Sequence, residues 1–246
     1  MTKVTYIGHS GFFVEMEKCQ LLFDYYQGEL PEINDKKPLY VFVSHKHADH
    51  FNKAVFSLAR RHPQITFVLS KDTHMNEKYM KRVGVPEEAW DKILYVKPDE
   101  QYNPGEGICA STFHIRTLRS TDEGVAFLVK TEEGTIYHAG DLNWWHWEGE
   151  TEEYNRQMAK DYQNEILKLR EETIDIAFVP LDPRLQDAYW YGMDYFLRNV
   201  ACRWAFPMHF WGKYEIIQKF KCREGAKAYK DKVSEIQREG QSFALK

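Results

Sequence analysis

The sequence predicts an α/β fold in which two β-sheets pack face to face and helices cover them on the outside. Three observations support this prediction. Strands and helices alternate over the first third of the chain, residues 108–138 have the pattern of strands only, and strands and helices return over the last third. No internal repeat and no linker rich in Pro, Gly or Ser interrupts the 246 residues, so we expect a single domain over 1–246.

Short apolar or alternating segments predict the strands of the first hundred residues. They are VTYIG, GFFVEM, CQLLFDYY, PLYVFVS, ITFVLS and KILYVKP, broken by Gly, Glu-Lys or Pro. Two segments between them, NKAVFSLARRH and THMNEKYMKRVGV, have the apolar spacing of helices, the second with Gly84 near its end. This order predicts a strand-helix-strand unit.

The remaining residues predict a run of strands followed by alternation. The expected strands are ICASTFHIRT, EGVAFLVKT and GTIYHAG, with a hairpin turn at Glu133-Gly134, and later IDIAFVPLD and RWAFPMH. The expected helices are the charged stretch 151–172, QDAYWYGMDYFLRNV, and KYEIIQKFK with the segment beyond it.

Composition limits the function classes. With 33 basic and 37 acidic residues the net charge is -4, which disfavours nucleic-acid binding by phosphate neutralisation. No apolar stretch is long enough for a secretion signal or a membrane span, so we expect a cytoplasmic protein without a membrane partner. Its four cysteines, Cys19, Cys109, Cys202 and Cys222, form no CxxC pair, which predicts free thiols.

The segment VFVSHKHADH, residues 41–50, places a histidine and carboxylate cluster directly behind an apolar strand. In an extended backbone His45 and His47 point to one side, whereas a following turn would direct Asp49 and His50 toward a second position. The spacing HxHxDH therefore fits two neighbouring ions better than one. A simple helix N-cap at Ser44 or Asp49 is the alternative, but it requires no such set of histidines. Imidazole and carboxylate ligands suit zinc, manganese or iron.

At these residues the sequence resembles the metallo-β-lactamase superfamily, whose motif HxHxDH they spell. Asp24 after the strand LLF, Asp141 in YHAGD and His209 in FPMHF are similar to further family positions. GHS near the start and YHAGD resemble the branch that contains L-ascorbate-6-phosphate lactonase. The resemblance implies a four-layer αββα sandwich with two mixed β-sheets.

The resemblance also implies a metal-dependent hydrolase that uses a metal-bound hydroxide on a small ester, lactone or phosphoester. The implied ligands are His45, His47, Asp49, His50, Asp141 and His209. His45 and His47 would hold one divalent ion, Asp49, His50 and His209 would hold a second, and Asp141 would bridge the two ions. Zinc is the preferred ion, with manganese or iron as alternatives. Asp49 would orient the water and move a proton. Asp24 would orient a ligand histidine.

One family position departs from the pattern. Most members have a histidine between HxHxDH and the bridging aspartate, and here Ser120 occupies that place in LRSTDEGVAFLV. The first ion could then use water, recruit Asp122 or be absent. Taken alone, Asp141 could be a turn residue and His209 a half-buried imidazole, but HxHxDH favours the ligand interpretation of both.

Other residues are candidates for supporting the ligands or facing the substrate. His9 and His138 resemble positions close to the site in the lactonase-like branch. Trp145 and Trp211 lie a few residues from predicted ligands and could form walls of a substrate pocket. Lys213, Arg119 or Arg184 could bind an anionic group of the substrate.

Two alternatives to a metabolite hydrolase stay open. A phosphodiesterase or nuclease is known in the same superfamily, although the acidic net charge disfavours a polymeric substrate. A non-catalytic metal-binding module is the other alternative, and the serine at position 120 is the feature that keeps it open. The sequence does not determine the substrate or the oligomeric state.

Overall fold

A computed structural model of the protein describes residues 1–104 and 113–245. The strands found there are β1 Thr2–Gly8, β2 Gly11–Glu15, β3 Gln20–Phe23, β4 Leu39–Val43, β5 Ile65–Ser70, β6 Ile93–Val96, β7 Gln101–Tyr102, β8 His114–Arg119, β9 Val125–Thr131, β10 Gly134–His138, β11 Thr173–Pro180, β12 Ala201–Met208 and β13 Ser242–Leu245. The α-helices are α1 Glu77–Arg82, α2 Glu152–Leu167, α3 Tyr191–Asn199 and α4 Glu215–Lys221.

The strands form two mixed sheets. The first has the order β13-β1-β2-β3-β4-β5-β6, and the second has the order β12-β11-β10-β9-β8-β7. In the first sheet β3 to β6 are parallel, while in the second β10, β11 and β12 are parallel. All the other pairs are antiparallel. Parallel strands end at the same edge of a sheet, so residues that follow them are brought together.

The inner faces of the two sheets meet in one aromatic core. Phe12 of β2 stacks on Phe178 of β11 with ring centroids 4.2 Å apart, and Phe42 of β4 meets Phe127 of β9 at 5.1 Å. The residue next to Phe12, Phe13, belongs to a separate cluster on the opposite face of its sheet. The alternation of side chains along a strand therefore supplies both faces with buried apolar groups.

Helical segments cover the two outer faces, as predicted. On the first sheet, the 3-10 helix Lys53–Arg60 contributes Phe56 and α1 contributes Met80 to the outer cluster. On the second sheet, Phe196 of α3 stacks on Tyr137 of β10 with ring centroids 5.2 Å apart. The predicted layered sandwich is confirmed.

Two helical predictions are wrong in part. The segment QDAYWYGMDYFLRNV is not one helix, because its first residue, Gln186, takes φ 51° and ψ -117° inside the 3-10 stretch Pro183–Ala188, and α3 begins only at Tyr191. The chain beyond α4 is not helical to its end, because β13 pairs antiparallel with β1. Pairing with an existing sheet edge gives this short, mostly exposed segment its backbone partners.

Part of one predicted strand lies outside the described residues. The prediction ICASTFHIRT begins within 105–112, and its described part forms β8. Cys109 also lies there, while Cys19, Cys202 and Cys222 are free thiols. Across 1–104 and 113–245, no helix is both long and apolar enough to cross a membrane.

Candidate metal centre

The candidate site lies where the parallel strands of both sheets end. Asp24 directly follows β3, Ser44 directly follows β4, and His209 directly follows β12. Asp141 comes three residues after the end of β10. The fold therefore collects at one edge the polar residues that the sequence places after buried strands.

Asp24 is the buried carboxylate that organises this edge. Its Oδ1 accepts a hydrogen bond from the Ser44 backbone N–H at 2.7 Å, and its Oδ2 accepts from the Ser44 hydroxyl at 2.6 Å. His50 Nδ1–H also donates to Oδ2, at 2.7 Å. Because Nδ1 of His50 is bonded to Asp24, its Nε2 is the ring nitrogen that is left to bind a metal ion.

Asp141 lies at the centre of three imidazoles. Its carboxylate oxygens are 3.5 Å from His45 Nε2, 3.2 Å from His50 Nε2 and 3.4 Å from His209 Nε2. Burial opposes ionisation of Asp141, but the charges of His50 and His209 outweigh it and hold the pKa well below its usual range. The group is therefore a buried carboxylate anion aimed at three imidazole nitrogens.

The histidines around Asp141 differ in protonation. Burial and the charge of His50 lower the pKa of His45 to about 4, so that His45 is neutral at neutral pH. For His50, Asp141 and Asp24 outweigh the cost of burial and raise the pKa well above its ordinary value. A cation entering the site must displace this proton, so metal binding is coupled to proton release.

Unsatisfied buried atoms test whether this set fits a metal ion. Within the described residues, the Nε2 atoms of His45, His50 and His209 and the Oδ1 of Asp141 are buried and have no hydrogen-bond partner. Buried polar atoms nearly always have a partner, so this many in one place indicates a missing ligand. Imidazole nitrogens and carboxylate oxygens are donors for divalent transition metals, and the residues therefore fit such an ion.

Three groups of side chains bring their donor atoms within 4.8 Å of one another. They are His45, His50 and Asp141; His47, Asp122 and Asp141; and His9, Asp49, His50 and His209. The predicted ligands all fall in these groups. Asp141 belongs to the first two groups and His50 to the first and third. The groups therefore have residues in common, as the ligand sets of two adjacent metal ions do.

Asp122, and not Ser120, faces the ligands at the position where the family histidine is missing. The Ser120 hydroxyl accepts a hydrogen bond from the Asp122 backbone N–H at 3.1 Å, which shapes the turn between β8 and β9. This turn leaves the Asp122 carboxylate beside His47 and Asp141. Of the replacements considered from the sequence, Asp122 is the one whose donor atom reaches the group.

His9 and His138 occupy different places. His9 Nε2 lies 3.3 Å from Asp49 Oδ2, its ring is 4.2 Å from that of His209, and burial lowers its pKa to about 4. His138 donates from Nε2 to the Ser10 carbonyl at 2.9 Å and accepts at Nδ1 from Gly140 N–H at 3.1 Å. With both nitrogens bonded to backbone, His138 is a neutral brace between the sheets and has no free atom for substrate.

Asp182 is a site residue that the sequence reasoning missed. It follows β11 in PLDP, and its Oδ2 accepts a hydrogen bond from His209 Nδ1–H at 2.8 Å. The same carboxylate accepts from Arg184 Nε at 2.9 Å and Nη2 at 2.6 Å. The available signal was a carboxylate close behind a buried strand, the feature that singled out Asp24.

The two predicted aromatic residues differ in burial: Trp145 supports the ligand segment from inside the protein, and Trp211 lies at the surface beside the site. Trp145 is buried, donates from Nε1 to the Asp141 carbonyl at 2.9 Å, and stacks on Trp147. Trp211 is 44 % exposed, and its ring lies 4.4 Å from that of His9. Lys213 is exposed and does not line the small cavity beside Asp122 and Asp141, and Arg119 pairs with Asp99.

Comparison with known families agrees with this geometry. Residues 3–154 match the model of the beta-lactamase superfamily domain. The chain belongs to the metallo-β-lactamase superfamily. The match contains HxHxDH and Asp141, whereas His209 and Asp182 lie beyond it and are placed by the structure alone.

Curated relatives match the chain over a little more than half of its length. A metal-dependent hydrolase from Pyrobaculum islandicum is 27% identical over 149 residues, which cover 56% of this chain and 61% of the relative. One from Opitutus terrae is 44% identical over 145 residues, covering 56% and 62%. The chain thus spans about three fifths of the length of these relatives.

A metallo hydrolase from Ignicoccus hospitalis shares the fold, with a TM-score of 0.63 and 18% identity, over 100% of this chain and 99% of that chain. The resemblance to the lactonase branch stays a prediction.

Proposed function

We propose that the chain is a metal-dependent hydrolase of a small-molecule ester, lactone or phosphoester, with residues 1–246 acting as one domain. The observation that carries this proposal is the set of buried, unpartnered Nε2 atoms of His45, His50 and His209 around the Asp141 carboxylate. The names of the curated relatives, metal-dependent hydrolase, support the same reaction type.

The proposed ligands form two adjacent positions. His45, His47 and Asp122 would hold one divalent ion, and Asp49, His50 and His209 would hold the other, with Asp141 between them. A bound divalent ion supplies Lewis acidity and lowers the pKa of water to about 7. With imidazole and carboxylate donors and no thiolate, zinc is the preferred ion, and manganese or iron are the alternatives.

Asp49 is the proposed general base. Its side chain is 27 % exposed, which makes it accessible to a substrate water, and Oδ2 lies beside His9 Nε2. Burial opposes its ionisation, but the adjacent His9 imidazole and the charge of His50 outweigh this and lower its pKa. Asp49 is thus a carboxylate at neutral pH, able to accept a proton from the attacking water and return it to the leaving oxygen.

The experiment that tests this function is hydrolysis before and after chelation. Three substrates represent the candidate bonds: 4-nitrophenyl acetate, γ-butyrolactone and bis(4-nitrophenyl) phosphate. We expect turnover of at least one by metal-loaded protein, loss of that turnover after chelation, and recovery when zinc or manganese is restored.

Paired histidine variants provide the control. His209→Ala removes a proposed ligand and is expected to lose the activity. His114→Ala changes an exposed histidine that pairs with Asn103, so it is expected to keep it. Metal-loaded protein that is inert toward all three substrates would contradict the proposal and favour a metal-binding module. Dominant phosphodiester cleavage would favour the phosphodiesterase alternative.

A further inference from the structure

A small cavity connects the proposed metal ligands to a guanidinium group. Its volume is about 180 Å³, and it is lined by Asp122 and Asp141 together with Trp147, Tyr154 and Arg184. Pockets for drug-sized ligands span roughly 300–1,000 Å³, so only a compact chemical group fits between Arg184 and the carboxylates. The cavity therefore connects the proposed metal ligands Asp122 and Asp141 to the guanidinium of Arg184.

Arg184 uses only one side of its guanidinium within the protein. Asp182 accepts from Nε at 2.9 Å and from Nη2 at 2.6 Å, which occupies the side-on pair of donors. Guanidinium has five N–H donors, so both N–H groups of Nη1 and one of Nη2 remain. No residue of the described ranges, 1–104 and 113–245, accepts a hydrogen bond from Nη1, and the side chain is 46 % exposed.

The position of this free edge is fixed before any ligand arrives. Asp182 is fully buried and is also bonded to His209, so the partner of Arg184 cannot move independently of the site. The guanidinium carbon lies 4.8 Å from the ring centroid of Trp211 and 5.7 Å from that of Trp147. A preorganised donor pair loses little conformational entropy on binding.

We infer that the substrate carries an oxyanion, a carboxylate or a phosphate, that binds the free Nη1 and Nη2 edge of Arg184 while the bond to be cleaved lies at Asp141. A guanidinium edge matches two oxyanion oxygens with parallel charge-assisted hydrogen bonds. The inference rests on the proposed function, because it names the substrate class of the same site. Arg184 is thereby assigned as the residue that selects anionic substrates.

A purely positioning role is the competing explanation. Arg184 could serve only to hold Asp182, which in turn orients His209. In that case removal of the guanidinium would slow neutral and anionic substrates by the same factor. Selection of an anion predicts a loss confined to the anionic substrate.

Two esters with the same leaving group separate these explanations. 4-Nitrophenyl acetate is neutral and 4-nitrophenyl hydrogen succinate is anionic. Wild type is expected to prefer the succinate ester, and Arg184→Met is expected to reduce the ratio of the two kcat/KM values at least about tenfold. Arg184→Lys should retain part of the preference. Arg119→Met, which removes a cation that pairs with Asp99, should leave the ratio unchanged. An equal loss for both esters would overturn the inference.

A binding measurement tests the anion site without turnover. Succinate and inorganic phosphate are titrated into protein freed of metal and chelator by dialysis, with tryptophan fluorescence as the signal, because Trp147 and Trp211 flank Arg184. Saturable binding that weakens at least about tenfold in Arg184→Met supports the inference, and the tighter ligand identifies the oxyanion.

Binding of neither anion, or equal binding by wild type and variant, overturns the inference. If metal-loaded protein hydrolyses neither the esters, the lactone nor the phosphodiester but the Arg184-dependent binding is found, the hydrolase proposal fails while the anion site stands.

Discussion

Replacing Asp141 by asparagine is expected to eliminate metal-dependent hydrolysis and to weaken divalent-metal binding by more than about 100-fold. Asp141 lies within 3.5 Å of the Nε2 atoms of His45, His50 and His209, and it is the negative charge shared by two of the proposed ligand groups. An asparagine keeps the shape but removes that charge and points an NH₂ group at the same nitrogens. Residual activity should equal that of chelator-treated wild type.

Metal titration by isothermal calorimetry, together with the ester assay, measures this effect. Asp161→Asn is the matched control, because Asp161 lies on the exposed side of α2 and bonds Gln157 away from the site. The control is expected to bind metal like wild type. Unchanged metal affinity in Asp141→Asn would contradict the central place of this carboxylate.

Gly124→Ala is expected to lower the free energy of unfolding by more than about 3 kcal/mol, or to prevent accumulation of folded protein. Gly124 precedes β9 with φ +71°, and a Cβ there would lie 2.0 Å from the Ser44 carbonyl oxygen and 2.6 Å from His45 Cβ. Both atoms belong to the segment that carries HxHxDH. The protein can relieve the clash only by moving β9 away from the metal ligands, which breaks the Val125 N–H to Ser44 carbonyl hydrogen bond.

Gly84→Ala separates the clash from backbone strain. Gly84 has nearly the same φ, +74°, but no atom lies within 4 Å of the position of its Cβ. Its cost should therefore be only that of a left-handed alanine, about 1–2 kcal/mol. Urea unfolding of both variants gives the comparison. Equal destabilisation would show that close packing against Ser44 contributes nothing.

Much of the fold could be predicted from the sequence, because its strands are short, apolar and clearly bounded. β4, for example, is LYVFV, whose residues are all buried. β13 could not be predicted, because only one residue of SFAL is buried and the segment owes its conformation to pairing with β1. The interruption of the predicted helix at Gln186 could not be predicted either, because its φ of 51° is imposed by tertiary structure and not by residue type.

The local part of the candidate site could be predicted from spacing, whereas the distant Asp141 and His209 were predicted only from the family resemblance and Asp182 was missed. HxHxDH puts its donors together by spacing alone. Asp182 and Arg184 are separated from that motif by more than a hundred residues, and only the register of β11 against β10 and β12 brings them to His209.

His9, Asp24 and His209 also take positive φ values, 52°, 40° and 64°, which no sequence pattern specified. Such strained conformations persist where the surrounding structure enforces them, and they concentrate at functional sites.

The metal content per chain tests the central claim most directly. Elemental analysis of protein purified without chelator should give about 2 divalent ions per chain for wild type and about 1 for Asp122→Ala. Glu123→Ala, which removes the neighbouring carboxylate that pairs with Lys46, should keep the wild-type value. Wild-type content near 1 that is unchanged in Asp122→Ala, or protein without metal, would contradict a binuclear centre completed by Asp122.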